Sequence, residues 1–376
     1  MTNVYDAIVL GLGGFGSSTL CHLAQRELNV LGIDQFGIAH DRGSSHGETR
    51  IIRKAYFEHP DYVPLLLRAY ELWSELESQT GQSLYEECGL FLAGPPEGEV
   101  ISGARESANK YDVPVDDVSL DEARERFPLF NFEESDAVVF EPEAGYLRVE
   151  SCVSALVNQA VAAGASVVTD QPVVSWSADP GTVRVITDKE TYQATRLVIA
   201  AGAWSGQVLN ELSLPLTVLR KLLFWHGVSS PVWSEATAFF FERPQGCFYG
   251  FPSIVGQTVK LAEHTGGLTV EDPLALDREC YPFDSEPVSE FVRRTMKSVS
   301  PHAARHAVCM YTMTPDGHFI VDRHPKHENV ILAAGFSGHG FKFTSVIGEV
   351  LADLACEGST SLPIEFLRID RPALSV

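Results

Sequence analysis

The apolar positions at both ends of the chain predict strands that alternate with helices. An apolar strand from Ala7 to Leu10 leads into a glycine-rich segment and then into a helix from Ser17 to Gln25. Further short apolar runs lie at Asn29 to Ile33, Leu197 to Ala201 and Val330 to Ala334. Short apolar runs bounded by turns are typical of strands buried in a parallel sheet. We therefore expect these runs to join one α/β sheet.

The middle of the chain has a different pattern of predicted helices and strands. A helix is predicted from Tyr62 to Ser78, a capping box at 119–122 opens a short helix, and another helix runs from Glu150 to Ala163. The strands that follow are interpreted as a β-meander ahead of the buried strand at 197–201, and they span 167–169, 173–176 and 183–187. Alternating, aromatic-rich strands then predict an antiparallel sheet that faces a pocket, with strands at 222–226, 237–241, 248–251 and 259–264.

No linker rich in Pro, Gly or Ser divides the chain. We therefore expect two interleaved domains. The first comprises residues 1–90, 145–215 and 315–376, and the second comprises residues 91–144 and 216–314. The predicted class is a Rossmann-like α/β domain interleaved with a substrate domain built on an antiparallel sheet.

Composition narrows the possible partners and locations. The chain has 376 residues, 45% of them hydrophobic, and a formal net charge of −22, which would repel nucleic acid and anionic membranes. No signal peptide or membrane-length apolar run is present, so we expect a cytoplasmic protein. Separately, we expect the protein to be a monomer. Seven cysteines without C-x-x-C pairs argue against a disulfide framework and against a zinc site.

The glycine-rich segment predicts a dinucleotide site. Gly11, Gly13 and Gly16 stand between a strand and a helix, where glycine permits a tight turn, close approach of a pyrophosphate and close packing of helix on strand. The helix N-terminus adds N–H donors and a positive dipole. Asp34 ends the second strand, where its carboxylate can accept ribose hydroxyls.

Other motifs are ambiguous when taken singly. Gly43 to Gly47 fits G-x-S-x-G, but no buried strand precedes it, so we reject a hydrolase nucleophile and interpret the loop as one that lies against a flat ring. Cys309, taken alone, is typical of a buried, inert thiol. Lys260 and His264 share one face of a strand whose simplest interpretation is a solvated edge.

Basic side chains offer a site for an anionic substrate in this acidic chain. Arg50, Arg53 and Lys54 cluster around two isoleucines, and Lys342 follows a second glycine loop at 335–340. If the glycine loops assemble as predicted, Arg53, Lys260 and Lys342 converge on one ligand site.

Four segments give the chain a specific resemblance to a known family. They are Gly43-Ser44-Ser45-His46-Gly47-Glu48-Thr49-Arg50-Ile51-Ile52-Arg53, Tyr249-Gly250-Phe251-Pro252, Val308-Cys309-Met310-Tyr311-Thr312, and Gly335-Phe336-Ser337-Gly338-His339-Gly340-Phe341-Lys342-Phe343. Over almost its whole length the chain resembles the monomeric sarcosine oxidase and N-methyltryptophan oxidase family. The resemblance implies FAD, oxygen as electron acceptor and a small N-alkyl amino acid as substrate.

The resemblance also assigns roles to individual residues. Lys260, Arg50 and His264 would be catalytic, with Lys260 where oxygen is activated. Substrate carboxylate would bind Arg53 and Lys342, and Tyr249 and Tyr311 would line the substrate cavity. Cys309 would carry the flavin through a thioether, which reverses its interpretation as inert. The other expected cofactor contacts are Gly11, Gly13, Gly16, Asp34, Ser44, Arg50, Val173, Gly202, Gly338, His339, Gly340 and Lys342.

Four positions depart from the sarcosine oxidase pattern and leave the substrate side chain open. Ser45 replaces a second histidine, Glu263 an aromatic residue and Phe248 a tyrosine, whereas Trp225 resembles the N-methyltryptophan branch. Alternatives are a cyclic imino acid such as pipecolate as substrate, a flavin dehydrogenase with a non-oxygen acceptor, a nicotinamide dehydrogenase, and a non-catalytic dinucleotide-binding protein.

Overall fold

The computed structural model describes residues 4–254 and 256–375, which form eight α-helices and twenty strands. The helices are α1 (Gly14–Gln25), α2 (Val63–Thr80), α3 (Glu99–Tyr111), α4 (Leu120–Arg126), α5 (Val149–Ala162), α6 (Ser205–Val208), α7 (Pro282–Thr295) and α8 (Thr344–Cys356). Among the described residues, no helix combines the length and the apolar character needed to cross a membrane.

The strands fall into three sheets. They are β1 (Val4–Leu10), β2 (Val30–Ile33), β3 (Thr49–Ile52), β4 (Tyr85–Glu87), β5 (Leu90–Gly94), β6 (Asp116–Val118), β7 (Ala137–Glu141), β8 (Gly145–Arg148), β9 (Ser166–Val168), β10 (Val173–Asp179), β11 (Thr182–Thr187), β12 (Thr191–Ile199), β13 (Thr217–Val228), β14 (Ala238–Arg243), β15 (Gly246–Gly250), β16 (Thr258–Glu263), β17 (Leu268–Thr269), β18 (Val299–Met313), β19 (Ile320–His324) and β20 (His327–Ala334).

The first sheet contains the parallel strands predicted from the apolar runs. β1 pairs in parallel with β2 and β12, β2 pairs in parallel with β9, and β12 pairs in parallel with β20. β10 and β11 extend this sheet as antiparallel strands. Helices α1, α5 and α8 pack together against one face, where their apolar side chains share one core. This arrangement places the carboxyl ends of β1, β2, β12 and β20 along one edge, where ligands bind in open α/β sheets.

The second sheet is mostly antiparallel and carries the aromatic-rich strands. Its order is β17-β13-β16-β15-β14-β5-β7-β6, and β18 pairs with β13 along most of its length. One pair, β14 with β5, is parallel. A cluster of buried aromatic side chains, including Phe91, Phe239 and Phe241, covers the face that carries α7.

A small third sheet of β3, β8 and β4 follows the loop at 43–47 and connects the two larger sheets along the chain. The predicted fold class, a Rossmann-like sheet combined with an antiparallel sheet, is confirmed by this topology. The domain boundaries given above stay a prediction.

One strand assignment needs correction. The segment at 167–169 was expected to belong to the meander, but β9 pairs in parallel with β2. The third strand of the meander is β12 itself, which pairs with β11 over residues 191–194, with β1 over residues 193–199 and with β20 over residues 197–199. One long strand thus joins the meander to the parallel strands of the same sheet, which a short apolar run could not reveal.

Candidate active site

One cavity of about 900 Å³ connects the glycine loop of β1–α1 with the basic side chains near β3. Its walls come from segments that are far apart in sequence, including the loops at 10–15, 200–204 and 335–342. Cavities of this size lie at the upper end of those that hold cofactors and small molecules. We describe first its end at the glycine loop and then its basic end.

At the glycine-loop end, backbone approaches backbone too closely for a side chain. A Cβ atom at Gly11, where φ is +83°, would lie 2.5 Å from the Ala200 carbonyl oxygen. A Cβ atom at Gly16 would lie 1.7 Å from the Gly11 carbonyl oxygen. The Asp34 carboxylate accepts hydrogen bonds from the backbone N–H groups of Leu12 at 2.6 Å and Phe36 at 2.8 Å. The geometry therefore fits a dinucleotide whose ribose reaches Asp34.

Most of the predicted site residues line this cavity. They are Gly11, Gly13, Asp34, Ser44, Arg50, Arg53, Val173, Gly202, Tyr249, His264, Tyr311, Gly338, His339, Gly340 and Lys342. Three others lie behind its wall. Gly16 acts through packing. Cys309 is 1% exposed and contacts Arg50 and Ser44 of the cavity wall, whereas Lys260 is 2% exposed and contacts Thr49, which lies behind that wall.

Cys309 lies on β18 under the loop at 43–47. Its Sγ is 3.5 Å from a guanidinium nitrogen of Arg50 and 3.6 Å from the Ser44 carbonyl oxygen. Burial raises the pKa of this thiol, but His46 and the positive charge of Arg50 outweigh burial and lower the pKa to about 6. A thiol with so low a pKa is largely thiolate at neutral pH, which is the nucleophilic form. Cys309 is therefore activated, and its interpretation as an inert thiol is wrong.

Lys260 is buried, so its interpretation as part of a solvated edge is also wrong. Its Nζ donates hydrogen bonds to the carbonyl oxygen of Thr49 at 2.7 Å and to Thr49 Oγ1 at 3.2 Å. Burial, followed by the positive charge of Arg50, holds the pKa of Lys260 well below its ordinary value. The ammonium of Lys260, held by two oxygens of Thr49, therefore loses its proton more readily than that of an exposed lysine.

The basic end of the cavity combines two cations with one carboxylate. Arg53 donates hydrogen bonds to the Ala55 carbonyl oxygen at 2.8 Å and to Glu58 at 2.5 Å. Lys342 Nζ donates to the His339 carbonyl oxygen at 2.8 Å. Burial raises the pKa of Glu58, but Arg53, His339 and Lys342 more than offset this and lower it to about 2. The cluster keeps an excess of positive charge that can bind an anion.

Aromatic rings and a histidine form the walls above this cluster. Phe240, Tyr249, Tyr311 and His264 line the cavity together, and His264 Nδ1 lies 3.4 Å from the Tyr311 hydroxyl oxygen. Burial lowers the pKa of His264 to about 3, so its ring is neutral at physiological pH. A neutral imidazole beside an anion site can accept a proton or a hydrogen bond from an amine.

Two of the sequence departures do not face the cavity. Phe248 stacks on Phe291 at a centroid distance of 4.5 Å, on the opposite face of the sheet from the neighbouring Tyr249. Glu263 is directly opposite Phe248 across β15 and β16 and therefore points to that same face. Ser45 does line the cavity, and its Oγ accepts a hydrogen bond from Gly14 N at 3.1 Å. Of these three, only Ser45 can touch a bound molecule directly.

The rejected nucleophile motif has a structural role. Ser44 Oγ donates a hydrogen bond of 2.7 Å to the Met310 carbonyl oxygen, and Gly47 adopts a φ of +88°. This hydroxyl is therefore committed to holding the 43–47 loop against β18.

Two further residues belong to the site that sequence reasoning did not single out. Glu58 follows Arg53 by five residues within an aromatic segment, where an isolated carboxylate signals a buried ion pair. His46 is 4% exposed, and its Nε2 lacks a hydrogen-bond partner within the part of the chain that the structure describes. The His46 side chain lies beside Cys309 and contributes to the lowered pKa of that thiol.

Comparisons with known proteins agree on one family. The family described as FAD dependent oxidoreductase matches residues 6–354. The chain is 40% identical over 372 residues to monomeric sarcosine oxidase of Streptomyces avermitilis, covering 97% of both chains. It is 38% identical over 374 residues to N-methyl-L-tryptophan oxidase of Yersinia pestis, covering 98% and 99%. Among solved structures, NikD, an unusual amino acid oxidase essential for nikkomycin biosynthesis, matches with a TM-score of 0.86 and 26% identity, covering 98% of each chain.

Proposed function

The chain belongs to the family of FAD-dependent oxidoreductases, and on this premise we propose that it oxidises the C–N bond of a secondary amino acid with oxygen. For an N-methyl substrate, amino acid, O2 and water give the demethylated amino acid, formaldehyde and hydrogen peroxide. The observation that carries the proposal is the anion site of Arg53 and Lys342 beside the neutral imidazole of His264, at one end of a dinucleotide cavity.

The residues present fit FAD. The cavity begins at a glycine cradle and continues past Arg50 and the loop at 43–47, and a buried ring nitrogen lies in its wall at Trp204 and another behind the wall at His46. Both nitrogens were found without partners among the described residues. When bound, FAD supplies the acceptor for the hydride and passes the electrons on to oxygen. Gly11, Gly13 and Asp34 would hold its adenosine and pyrophosphate, and Arg50 its reactive ring.

This chain's own residues would orient the substrate and prepare its amine. Arg53 and Lys342 bind the carboxylate, which fixes the N-alkyl carbon in the ring-lined part of the cavity. His264 is neutral and accepts a hydrogen bond from the amine. The cations around the site lower the pKa of a bound ammonium, so that the amine reacts in its neutral form. Arg50 and Lys260 provide positive charge where negative charge develops during electron transfer.

We also propose that Cys309 links covalently to the flavin ring. Its lowered pKa and its place under the 43–47 loop support this assignment. We expect denatured wild-type protein to keep its yellow colour in the acid-precipitated pellet, and Cys309→Ala to release all of it to the supernatant. Cys152→Ala removes a buried thiol whose pKa is raised by burial, and it should leave the colour in the pellet. Yellow colour lost entirely from wild-type protein would overturn the link.

The activity is tested on a panel of secondary amino acids. Sarcosine, N-methyl-L-tryptophan and pipecolate are mixed anaerobically with the enzyme, and flavin bleaching is followed by stopped flow. Parallel reactions in air measure peroxide. Glycine and tryptophan serve as matched compounds without the N-methyl group and should bleach the flavin far more slowly. Bleaching without peroxide in air would point to a dehydrogenase with another acceptor, and a panel without bleaching would refute the proposal.

The affinity of the enzyme for acetate, a carboxylate that has no amine, should depend on the charge of Lys342. Burial and the neighbouring Arg53 charge lower the pKa of Lys342 to about 7. The ammonium form exists below that pKa, so we expect the affinity for acetate to fall by roughly tenfold between about pH 6 and pH 9. Glu58 and His264 have pKa values of about 2 and about 3 and do not titrate in this range.

Lys342→Met should bind acetate weakly at both pH values, with a flat profile. The dissociation constants of acetate at the two pH values are measured by titrating the enzyme with acetate and following the flavin absorbance. A wild-type profile that is flat, or a variant that keeps the full slope, would contradict the role of Lys342.

The predicted monomeric state and cytoplasmic location stay part of the proposal.

A further inference from the structure

Lys260 is the buried end of a row of three side chains that reaches the surface. Trp225 on β13 is directly opposite Lys260 on β16 and, on its other side, directly opposite Arg305 on β18. Directly opposed residues of antiparallel strands share a face of the sheet. Lys260 and Trp225 are each 2% exposed, whereas the Arg305 side chain is 53% exposed. The row therefore leads from solvent to the ammonium of Lys260.

The segment Glu48–Thr49 lies over this row and bonds to each member. Trp225 Nε1 donates a hydrogen bond of 2.8 Å to one carboxylate oxygen of Glu48, and Arg305 forms an ion pair with the other oxygen. The Arg305 guanidinium carbon lies 3.7 Å from the centre of the Trp225 ring. The next residue, Thr49, supplies both oxygens that accept from Lys260.

Glu48 holds its place in a strained backbone conformation. Its φ is +72°, in the left-handed region that non-glycine residues seldom adopt. Its N–H donates to both carboxylate oxygens of Glu150, at 3.2 and 3.1 Å, and its carbonyl oxygen accepts from Val149 N at 2.9 Å. Strain that is held by surrounding bonds is common at functional sites. Here it turns the Glu48 carboxylate toward Trp225 and the Thr49 carbonyl toward Lys260.

We propose that Glu48, held by Trp225 and Arg305, is a positioning residue for the reaction with oxygen and acts through Lys260. The inference rests on the proposed function, in which Lys260 supplies positive charge to that reaction. Trp225 and Arg305 would keep the Glu48 carboxylate near the ammonium, while Thr49 fixes where the ammonium points.

The charged groups around Lys260 determine whether removing Glu48 raises or lowers the pKa of Lys260. Arg50 opposes the ammonium form of Lys260, whereas Cys309, Glu150 and Glu48 favour it, so each of the latter three raises the pKa that burial has lowered. Neutralising Glu48 should therefore leave a smaller fraction of Lys260 as ammonium. Because an ammonium stabilises negative charge on oxygen, the reaction with oxygen should slow.

The test separates the two half-reactions. Glu48→Gln keeps an acceptor for Trp225 but removes the charge and the ion pair with Arg305. We expect reoxidation of the reduced holoenzyme by O2 at neutral pH to fall roughly fivefold, and its pH profile to shift to lower pH, since the ammonium is lost earlier. Anaerobic reduction by substrate should stay within about twofold. Arg305→Met should slow reoxidation in the same direction, because the carboxylate loses its partner.

A double-mutant cycle distinguishes positioning from general loosening. In the Lys260→Met background, Glu48→Gln should cause no further slowing, because its effect passes through Lys260. Glu86→Gln is a matched control that breaks the ion pair with Arg148 elsewhere on the same small sheet, and it should change neither half-reaction. If Lys260→Met itself does not slow reoxidation, the proposed role of Lys260 fails. If Lys260→Met slows it but Glu48→Gln does not, or the two effects add, the positioning role of Glu48 is refuted.

Discussion

We expect Lys260→Met to slow the reaction of the reduced enzyme with O2 by roughly 100-fold or more, while anaerobic reduction by substrate changes little. The reason is the position of its Nζ, which is held by Thr49 in a buried site beside Arg50. Removing one preorganised charge or donor from a water-excluded site costs rates of about this size. Methionine fills a similar volume, so the packing around Trp225 and Phe251 is kept.

Stopped-flow mixing of the photoreduced enzyme with oxygenated buffer measures this rate. Lys260→Arg keeps the charge and should recover part of it. Lys297→Met removes an exposed lysine that also donates to a backbone carbonyl, that of Pro128, and should leave the rate unchanged. An equal loss in both half-reactions would show that Lys260 supports the fold or the flavin rather than the reaction with oxygen.

Arg53→Met is expected to weaken substrate binding by roughly 100-fold or more, with a smaller effect on the oxygen reaction. Two effects combine in this variant. The substrate carboxylate loses a charged hydrogen-bond donor, and Glu58 loses the partner that neutralises it at 2.5 Å. Arg53 also contributes most to lowering the pKa of Glu58, and without Arg53 the charge of the ionised Glu58 is free to repel the incoming carboxylate.

The double variant Arg53→Met/Glu58→Gln separates these effects. We expect it to bind substrate roughly tenfold more tightly than Arg53→Met, since the repulsive charge is gone. The substrate dependence of anaerobic bleaching gives the dissociation constants. Arg148→Met, which breaks an exposed ion pair with Glu86, is the matched control. If the double variant binds no better than the single one, Glu58 does not face the bound carboxylate.

The parallel sheet could be predicted because its strands are short apolar runs beside glycine loops. β1, β2, β12 and β20 all arise at the expected places, and α1 begins at Gly14, three residues before the predicted start. The strands β5 and β7 were not predicted, because they are buried on both sides and show no alternation. The helix α3 was missed although its buried residues, among them Val100, Ala104 and Ala108, recur at helical spacing. The assignment of β9 to the meander failed because strand pairing is set by tertiary structure.

The site was predictable where a motif ties residue type to position. The burial of Lys260 could not be predicted, and it overturns the interpretation of a solvated edge. Cys309 is buried as expected, and the proximity of His46 and Arg50 is what changes its interpretation. The alternation of side chains along a strand could have placed Phe248 and Glu263. Phe248 is one residue from Tyr249, which lines the cavity, and Glu263 is three residues from Lys260, which faces Thr49, so both point to the opposite face of the sheet. The role of His46 depends on its contact with the distant Cys309, which spacing does not reveal, whereas the partner of Glu58, Arg53, lies only five residues away.

The contact between the first and last long helices bears on when this protein can mature. Ser18 on α1 donates a hydrogen bond to the Ser345 carbonyl oxygen of α8, and a Cβ at Gly348 would lie 2.1 Å from Ser18 Oγ. The glycine cradle therefore receives its supporting helix only after more than 300 residues of synthesis. The thiol of Cys309 and the guanidinium of Arg50 are likewise 259 positions apart. Contacts of such long sequence range form late and slowly. The nascent chain thus carries a Cys309 without the neighbouring Arg50 charge that lowers its pKa, and we expect the proposed covalent link to flavin to form only after the fold is complete.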